Sequence, residues 1–319
     1  MVGRIFVSTT ISFINSSLRN FAGMNMQNTI EFHQVCKRYP EFYLDNLSLQ
    51  LPQGQVMGLV GVNGAGKSTT MRLLMGLIQP DSGSVTALGC ELPHQQVRVK
   101  EQIGYASEDM RMYKNETLRW HMGFIQSIYS GWDPLYADHL LKVFDLKADQ
   151  KTKGFSHGQR VKAGLLLVLA RRPKLVVLDE PTTGLDPVAR EEVLSELAEI
   201  LRNEERSVLF SSHNTQDVEQ LSDTISFLHK GKLLDSQDKE IYLDRWRRVL
   251  CTGISDASNL SLPGLVRVKR NGSLHELVFN QNPDAAVARL NELGAEISVV
   301  ESMSLEKIFV ATVKAGVHV

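Results

Sequence analysis

From Thr29 onward, apolar and polar residues follow regular periods. Thr29 to Cys36 and Leu47 to Leu51 alternate, the period-two pattern of half-buried antiparallel strands. Gln55 to Val60 (QVMGLV), Leu175 to Leu178 (LVVL) and Ser207 to Phe210 are short, continuous apolar runs instead, as strands buried on both faces require. Helical periods lie between them. One helix is predicted through Thr70, Met71, Leu73, Leu74 and Leu77, stopped by the turn Pro80-Asp81-Ser82-Gly83. From about 108 to 170 the text reads as helical: Leu135, Leu140, Leu141, Val143 and Phe144 make one stripe, and Val161 to Leu169 a strongly apolar helix. Buried strands alternating with helices predict an α/β fold, a parallel sheet with helices on both faces, joined by an antiparallel β subdomain and a helical subdomain.

Near residue 240 the character changes. Leu265 to Lys269 and Leu274 to Phe279 flank Asn271-Gly272, a strong hairpin signal. Asn282-Pro283 opens a helix with Gly294 at its stop, followed by a strand (Ile297 to Val300) and an amphipathic helix (Leu305 to Val313). The expected organisation is therefore an extension over residues 1–28 outside the fold, a main domain over 29–238, and a small C-terminal α+β module over 239–319. The extension holds Arg4 and Arg19 and no acidic residue, which also admits a targeting peptide, though without a clear cleavage site.

Composition narrows the function. Lys and Arg total 35 against 36 Asp and Glu, a formal net charge of -1, so no nucleic-acid partner is expected. Three scattered cysteines, Cys36, Cys90 and Cys251, form no disulfide framework or CxxC metal site. The nine histidines include no HExxH or HxxxH pair, and no structural metal is assigned. The longest apolar run, Gly164 to Ala170, falls far short of the roughly 18–20 residues of a membrane span, so a membrane role is expected to come through a partner.

The chemistry begins at Gly61-Val62-Asn63-Gly64-Ala65-Gly66-Lys67-Ser68-Thr69, which fits G-x-x-x-x-G-K-[ST] between a strand and a helix, the mark of a P-loop NTPase core. Glycines let backbone N–H groups converge on phosphate oxygens, and the helix beginning near Lys67 adds its positive end. Lys67 is expected to neutralise the β- and γ-phosphates and the Ser68 hydroxyl to ligate Mg²⁺. Asp179 and Glu180 close an apolar strand at the carboxyl edge of the sheet. Asp179 is expected to organise Mg²⁺ and Glu180 to act on water as general base.

Taken together, these motifs resemble the ATP-binding subunit of ABC transporters over about residues 29–235. Phe155-Ser156-His157-Gly158-Gln159 is similar to that family's LSGGQ signature, followed in order by LVVLDEP (Leu175 to Pro181), Thr183-Gly184-Leu185-Asp186 and His213 after Ser211-Ser212. The resemblance implies ATP and Mg²⁺ as ligands and two nucleotide-binding subunits packed head to tail. Ser156, Gly158 and Gln159 would then complete the neighbouring copy's site, His213 would hold the γ-phosphate, and Asp186 would support the interface. Tyr39 matches the aromatic that stacks on adenine, with Phe42 and Tyr43 as rivals. Two positions depart from the pattern: Glu108 stands where glutamine is usual, making it a charged Mg²⁺ ligand that lacks the amide donor, and His157 replaces the first signature glycine.

The resemblance further implies separate transmembrane permease subunits as partners, docking near Glu108 to Tyr113, and residence on the cytoplasmic face of the cell membrane. The C-terminal module and the stretch Ser304 to Phe309 are similar to bacterial ABC-2-type exporters, so export is the expected direction. The rival is a soluble ATPase of the same type acting on ribosomes or DNA. It is disfavoured by the single nucleotide-binding unit and the absence of sustained heptads. Arg245, Arg247 and Arg248 read as a solvated helix face.

Overall fold

The computed structural model describes residues 27–107, 110–201, 206–254 and 262–315, with no side-chain description at 200 and 201. The elements run β1 (Asn28–Tyr39), β2 (Phe42–Pro52), β3 (Val56–Val60), α1 (Lys67–Leu74), β4 (Ser82–Ala87), β5 (Cys90–Leu92), α2 (Gln96–Lys100) and β6 (Ile103–Ser107). There follow α3 (Leu118–Ile128), α4 (Pro134–Val143), α5 (His157–Leu169), β7 (Leu175–Asp179), α6 (Pro187–Leu201), β8 (Ser207–Ser212), α7 (Thr215–Leu221), β9 (Thr224–His229) and β10 (Lys232–Asp238). The last part holds α8 (Lys239–Arg245), β11 (Arg247–Thr252), β12 (Leu265–Asn271), β13 (Leu274–Phe279), α9 (Pro283–Glu292), β14 (Glu296–Ser302) and α10 (Leu305–Ala315).

Three sheets form among the described residues. The central one has the order β10-β9-β3-β8-β7-β6, parallel except where β10 pairs antiparallel with β9. β3, β7 and β8 are buried along their whole length, as their unbroken apolar runs demand. Successive side chains leave on opposite faces and feed two cores. Val56, Val60, Val176, Leu178, Val208 and Phe210 meet α5, α6 and α7. Met57, Leu59, Leu175, Val177 and Leu209 meet α1, α2 and the antiparallel sheet β2-β1-β4-β5. Met71 and Met75 are ordinary members of that second core.

The antiparallel sheet is clamped to the central one at Gly231, in the turn between β9 and β10. Its carbonyl accepts from the Asp45 N–H at 2.8 Å, and its own N–H donates to the Ala65 carbonyl at 2.9 Å, inside the phosphate loop. A Cβ at Gly231 would lie 1.8 Å from the Tyr43 carbonyl oxygen, at a φ of 77°. Gly231→Ala should therefore cost about 2–4 kcal/mol of stability, seen as a lower urea midpoint at unchanged slope. A midpoint equal to that of the unchanged chain would contradict this account of the clamp.

The helical segment contains α3, α4 and α5, and the hairpin β12–β13 forms around Asn271-Gly272 with Asn271 opposite Leu274. The last sheet has the order β12-β13-β11-β14 and a small core of its own with α9. α10 leaves that core: Leu305, Ile308 and Ala311 join the first core, and the Phe309 ring packs at a tilt against Phe227 of β9, 5.3 Å between centroids.

Several local expectations are corrected. α1 ends at Leu74, and Gly76 takes a φ of 61°, so Leu77 lies beyond the helix and exposed. Leu135 is 81% exposed in the first turn of α4, where Asp133 caps the helix; the buried stripe is Tyr136, Ala137 and Leu140. Asn282 sits at the N-terminus of α9 in a left-handed conformation without a side-chain cap. Arg245, Arg247 and Arg248 do not form a solvated helix face. Arg247 and Arg248 open β11, with Arg248 paired to Glu301 at 2.7 Å and Glu276 at 3.4 Å, Arg247 donating to the Leu243 carbonyl, and Arg245 donating to that of Asn280. The 1–28 extension lies outside the described residues except for its last two positions.

Candidate nucleotide site

The parallel register assembles the site. Val60 of β3 stands beside Ser212 of β8, and Ser211 beside Asp179 of β7, so the carboxyl ends of three strands finish in one row. The loops they release, 61–66, 180–186 and 213–214, meet at one edge, where α/β sheets place their ligands.

The phosphate loop is shaped by sterics. A Cβ on Gly61 would lie 2.5 Å from the Leu228 carbonyl oxygen, and one on Gly66, at a φ of 114°, 2.8 Å from the Phe42 ring. Only glycine fits either position. Asn63, Gly64, Ala65, Gly66, Lys67, Ser68 and Thr69 line a cleft of about 620 Å³, closed by Glu41, Phe42 and Glu180. α1 starts at Lys67, so its unpaired N–H groups face this cleft.

Lys67 is buried and spans the cleft floor. Its Nζ donates to the Gly61 carbonyl at 2.7 Å and stands 3.1 Å from Glu180 Oε1. The other oxygen of Glu180, Oε2, accepts from His213 Nδ1 at 2.7 Å and from the Thr183 hydroxyl at 2.9 Å. Burial pushes the Glu180 carboxyl up, but the Lys67 charge and the hydrogen bonds from His213, Lys67 and Thr183 outweigh it, so the group titrates below the usual carboxylate range. Glu180 is thus ionised at neutral pH. It is also held at a φ of 55°, a left-handed conformation that a non-glycine residue adopts at a cost. Its N–H donates to the Ser211 hydroxyl, which in turn donates to Asp179 Oδ1 at 2.7 Å.

The expected residues divide into groups. Lys67, Ser68, Asp179, Glu180 and His213 converge on the phosphate loop. Tyr39 does not line the cleft: it lies at the tip of the β1–β2 hairpin, 6.4 Å from the ring of Phe42, which does. Glu108 lies outside the described residues. Ser156, Gly158 and Gln159 begin α5, where Ser156 and Gln159 form a reciprocal capping box. Ser156 is exposed there, and its neighbour His157 lines a narrow crevice with Ser107, Arg160, Asp179, Glu180 and Thr183. Asp186 has a local job, capping α6 through the N–H groups of Val188 and Ala189.

Sequence reasoning missed the hydrogen-bond partners that hold the acidic side chains, most of them distant in the chain. Ser211 and Thr183 hold the two carboxylates. Asp217, 1% exposed, accepts from Thr182 at 2.5 Å and from Arg190 Nε at 2.6 Å, anchoring the loop after Glu180. No sequence signal marks Asp217, one of two acids in the mostly polar helix TQDVEQL.

Among the described residues, no group of three or more His, Cys, Asp or Glu side chains is placed to hold a metal. Mg²⁺ does not need one, since it binds through one or two carboxylates together with substrate phosphates and water. The hard oxygen donors of Ser68 and Asp179 suit it.

The fold and this loop define a nucleotide-phosphate-binding protein of the P-loop class. Residues 44–183 match the ABC transporter family model. The lantibiotic transport ATP-binding protein of Streptococcus pyogenes is 36% identical over 192 residues, covering 60% of this chain and 82% of that protein. The bacitracin transport ATP-binding protein of Bacillus licheniformis is 28% identical over 307 residues, covering 91% and 99%. A solved ATP-binding subunit of an ABC transporter superposes with a TM-score of 0.61 at 26% identity, over 67% of this chain and 91% of that one. The chain belongs to the ABC transporter ATP-binding family. It is an ATP-binding and ATP-hydrolysing subunit coupled to transport, and the soluble ribosome or DNA factor is set aside. Among the described residues no helix is long and apolar enough to cross a membrane.

Proposed function

We propose that the cleft binds ATP with Mg²⁺ and that Glu180 is the general base of its hydrolysis. The convergence of Lys67, Glu180 and His213 at the mouth of the phosphate loop carries this reading. Lys67 exchanges its Glu180 contact for the β- and γ-phosphates as the nucleotide enters. Glu180, released on that side and kept ionised by its remaining donors, accepts a proton from water. His213 spends Nδ1 on Glu180 and so presents Nε2 toward the terminal phosphate. Ser68 and Asp179, with Glu108, would hold Mg²⁺, which would neutralise phosphate charge developing in the reaction. Tyr39 stacks on adenine at the outer rim.

Two copies, or one copy and a related subunit, close head to tail on ATP. Ser156, Gly158 and Gln159 then meet the neighbouring copy's γ-phosphate from the N-terminus of α5. Residues 29–238 form the ATP-binding domain and 239–319 an accessory module. Transmembrane permease subunits receive the stroke, placing the chain at the cytoplasmic face of the membrane. The relatives named for bacitracin and lantibiotic transport support a cargo of that kind; export, the direction expected from the C-terminal module, is part of this reading.

The test is affinity purification of the full chain from detergent-solubilised membranes, with and without ATP. Co-purification of a membrane-spanning polypeptide is expected. Recovery of ribosomal proteins instead would overturn the transport reading.

A further inference from the structure

The signature turn and the catalytic turn of this chain are joined by one side chain. His157, the first residue of α5, places Nε2 2.9 Å from the Thr183 carbonyl oxygen. A carbonyl only accepts, so Nε2 carries the proton. Gly184 makes room for the ring: a Cβ there would lie 2.9 Å from Nε2. Thr183 also donates its hydroxyl to Glu180 Oε2. A continuous path therefore runs from the Ser156 turn through His157 and Thr183 to the carboxylate that also holds His213 and faces Lys67. A glycine at position 157 would leave this path open.

We propose that His157 is a positioning residue, fastening the turn that serves a neighbouring copy's nucleotide to the Glu180 turn that serves this copy's own. Movement of α5 on closure is then transmitted to the Glu180 oxygens through one hydrogen-bonded peptide. This rests on the roles given above to Glu180 and Ser156. The ring nitrogen of His157 is spent on the Thr183 carbonyl, so its loss should act on turnover rather than on binding.

The experiment compares steady-state ATPase rates and melting temperatures of the full-length chain with those of H157A, H157Q, T183V and the double variant H157A/T183V. H157A should lower kcat about five- to tenfold with KM for ATP within about twofold, the scale of one lost hydrogen bond acting on geometry. H157Q, whose amide N–H reaches the same carbonyl, should recover most of the rate. The double variant should be no slower than the poorer single variant, because both substitutions cut one path. Unchanged kcat in H157A overturns the proposal, and so do additive losses in the double variant. Equal loss in H157A and H157Q with both melting early makes His157 a packing residue and overturns it too. An unchanged chain with no ATPase at all would instead fail the functional reading beneath it.

Discussion

Replacing Glu180 by Gln lowers ATP turnover by at least about a hundredfold while ATP binds as tightly as before, or more tightly. The amide preserves the shape of the side chain but cannot accept a proton. It also removes the charge that Lys67 faces at 3.1 Å. Phosphate then no longer competes with a carboxylate for the ammonium. The check is single-turnover hydrolysis beside equilibrium binding of a fluorescent ATP analogue. Hydrolysis within a few-fold of the unchanged chain would remove Glu180 from the role of base.

Replacing Lys67 by Ala weakens ATP binding by about ten- to a hundredfold, the range of one or two charge-assisted hydrogen bonds. A second effect follows from the carboxylate left behind. With the Lys67 charge gone, less opposes the effect of burial at Glu180 and its pKa rises. The sign follows from linkage: a carboxyl depressed by folding contributes stability above its unfolded pKa, which is lost as pH falls through the folded value. In K67A that contribution shrinks, so the difference in stability between the two chains should be largest near neutral pH and close as pH falls through the acid range. Binding titrations and urea unfolding across pH read both effects. Unchanged affinity would show that the cleft does not grip phosphate through Lys67.

Particular residues show how far the site was legible in the sequence. Gly61 to Thr69 is contiguous, and its sterics are local, so motif and strand–helix context were enough. Asp179 and Glu180 were readable as acids ending a buried strand. His213 and Ser156 gained meaning only from the order of motifs along the chain. Thr183 is legible only as the first residue of the Thr183–Asp186 motif, without a role of its own, yet it bonds both Glu180 and His157. Gly231 belongs to none of the sequence motifs, yet its backbone holds the phosphate loop to the antiparallel sheet. Leu135 fitted the apolar period of α4 but lies in its first turn, where the chain has not yet reached the core.

Apolar periods and glycine placement already specified the strands, the helices and the phosphate loop, because burial and backbone sterics act between near neighbours in the chain. Strand order came from folding alone. β8, late in the chain, inserts between β3 and β7 and brings His213 and Ser211 between the phosphate loop and the two carboxylates. Hydrogen-bonded register between distant strands makes that arrangement, and no local pattern contains it.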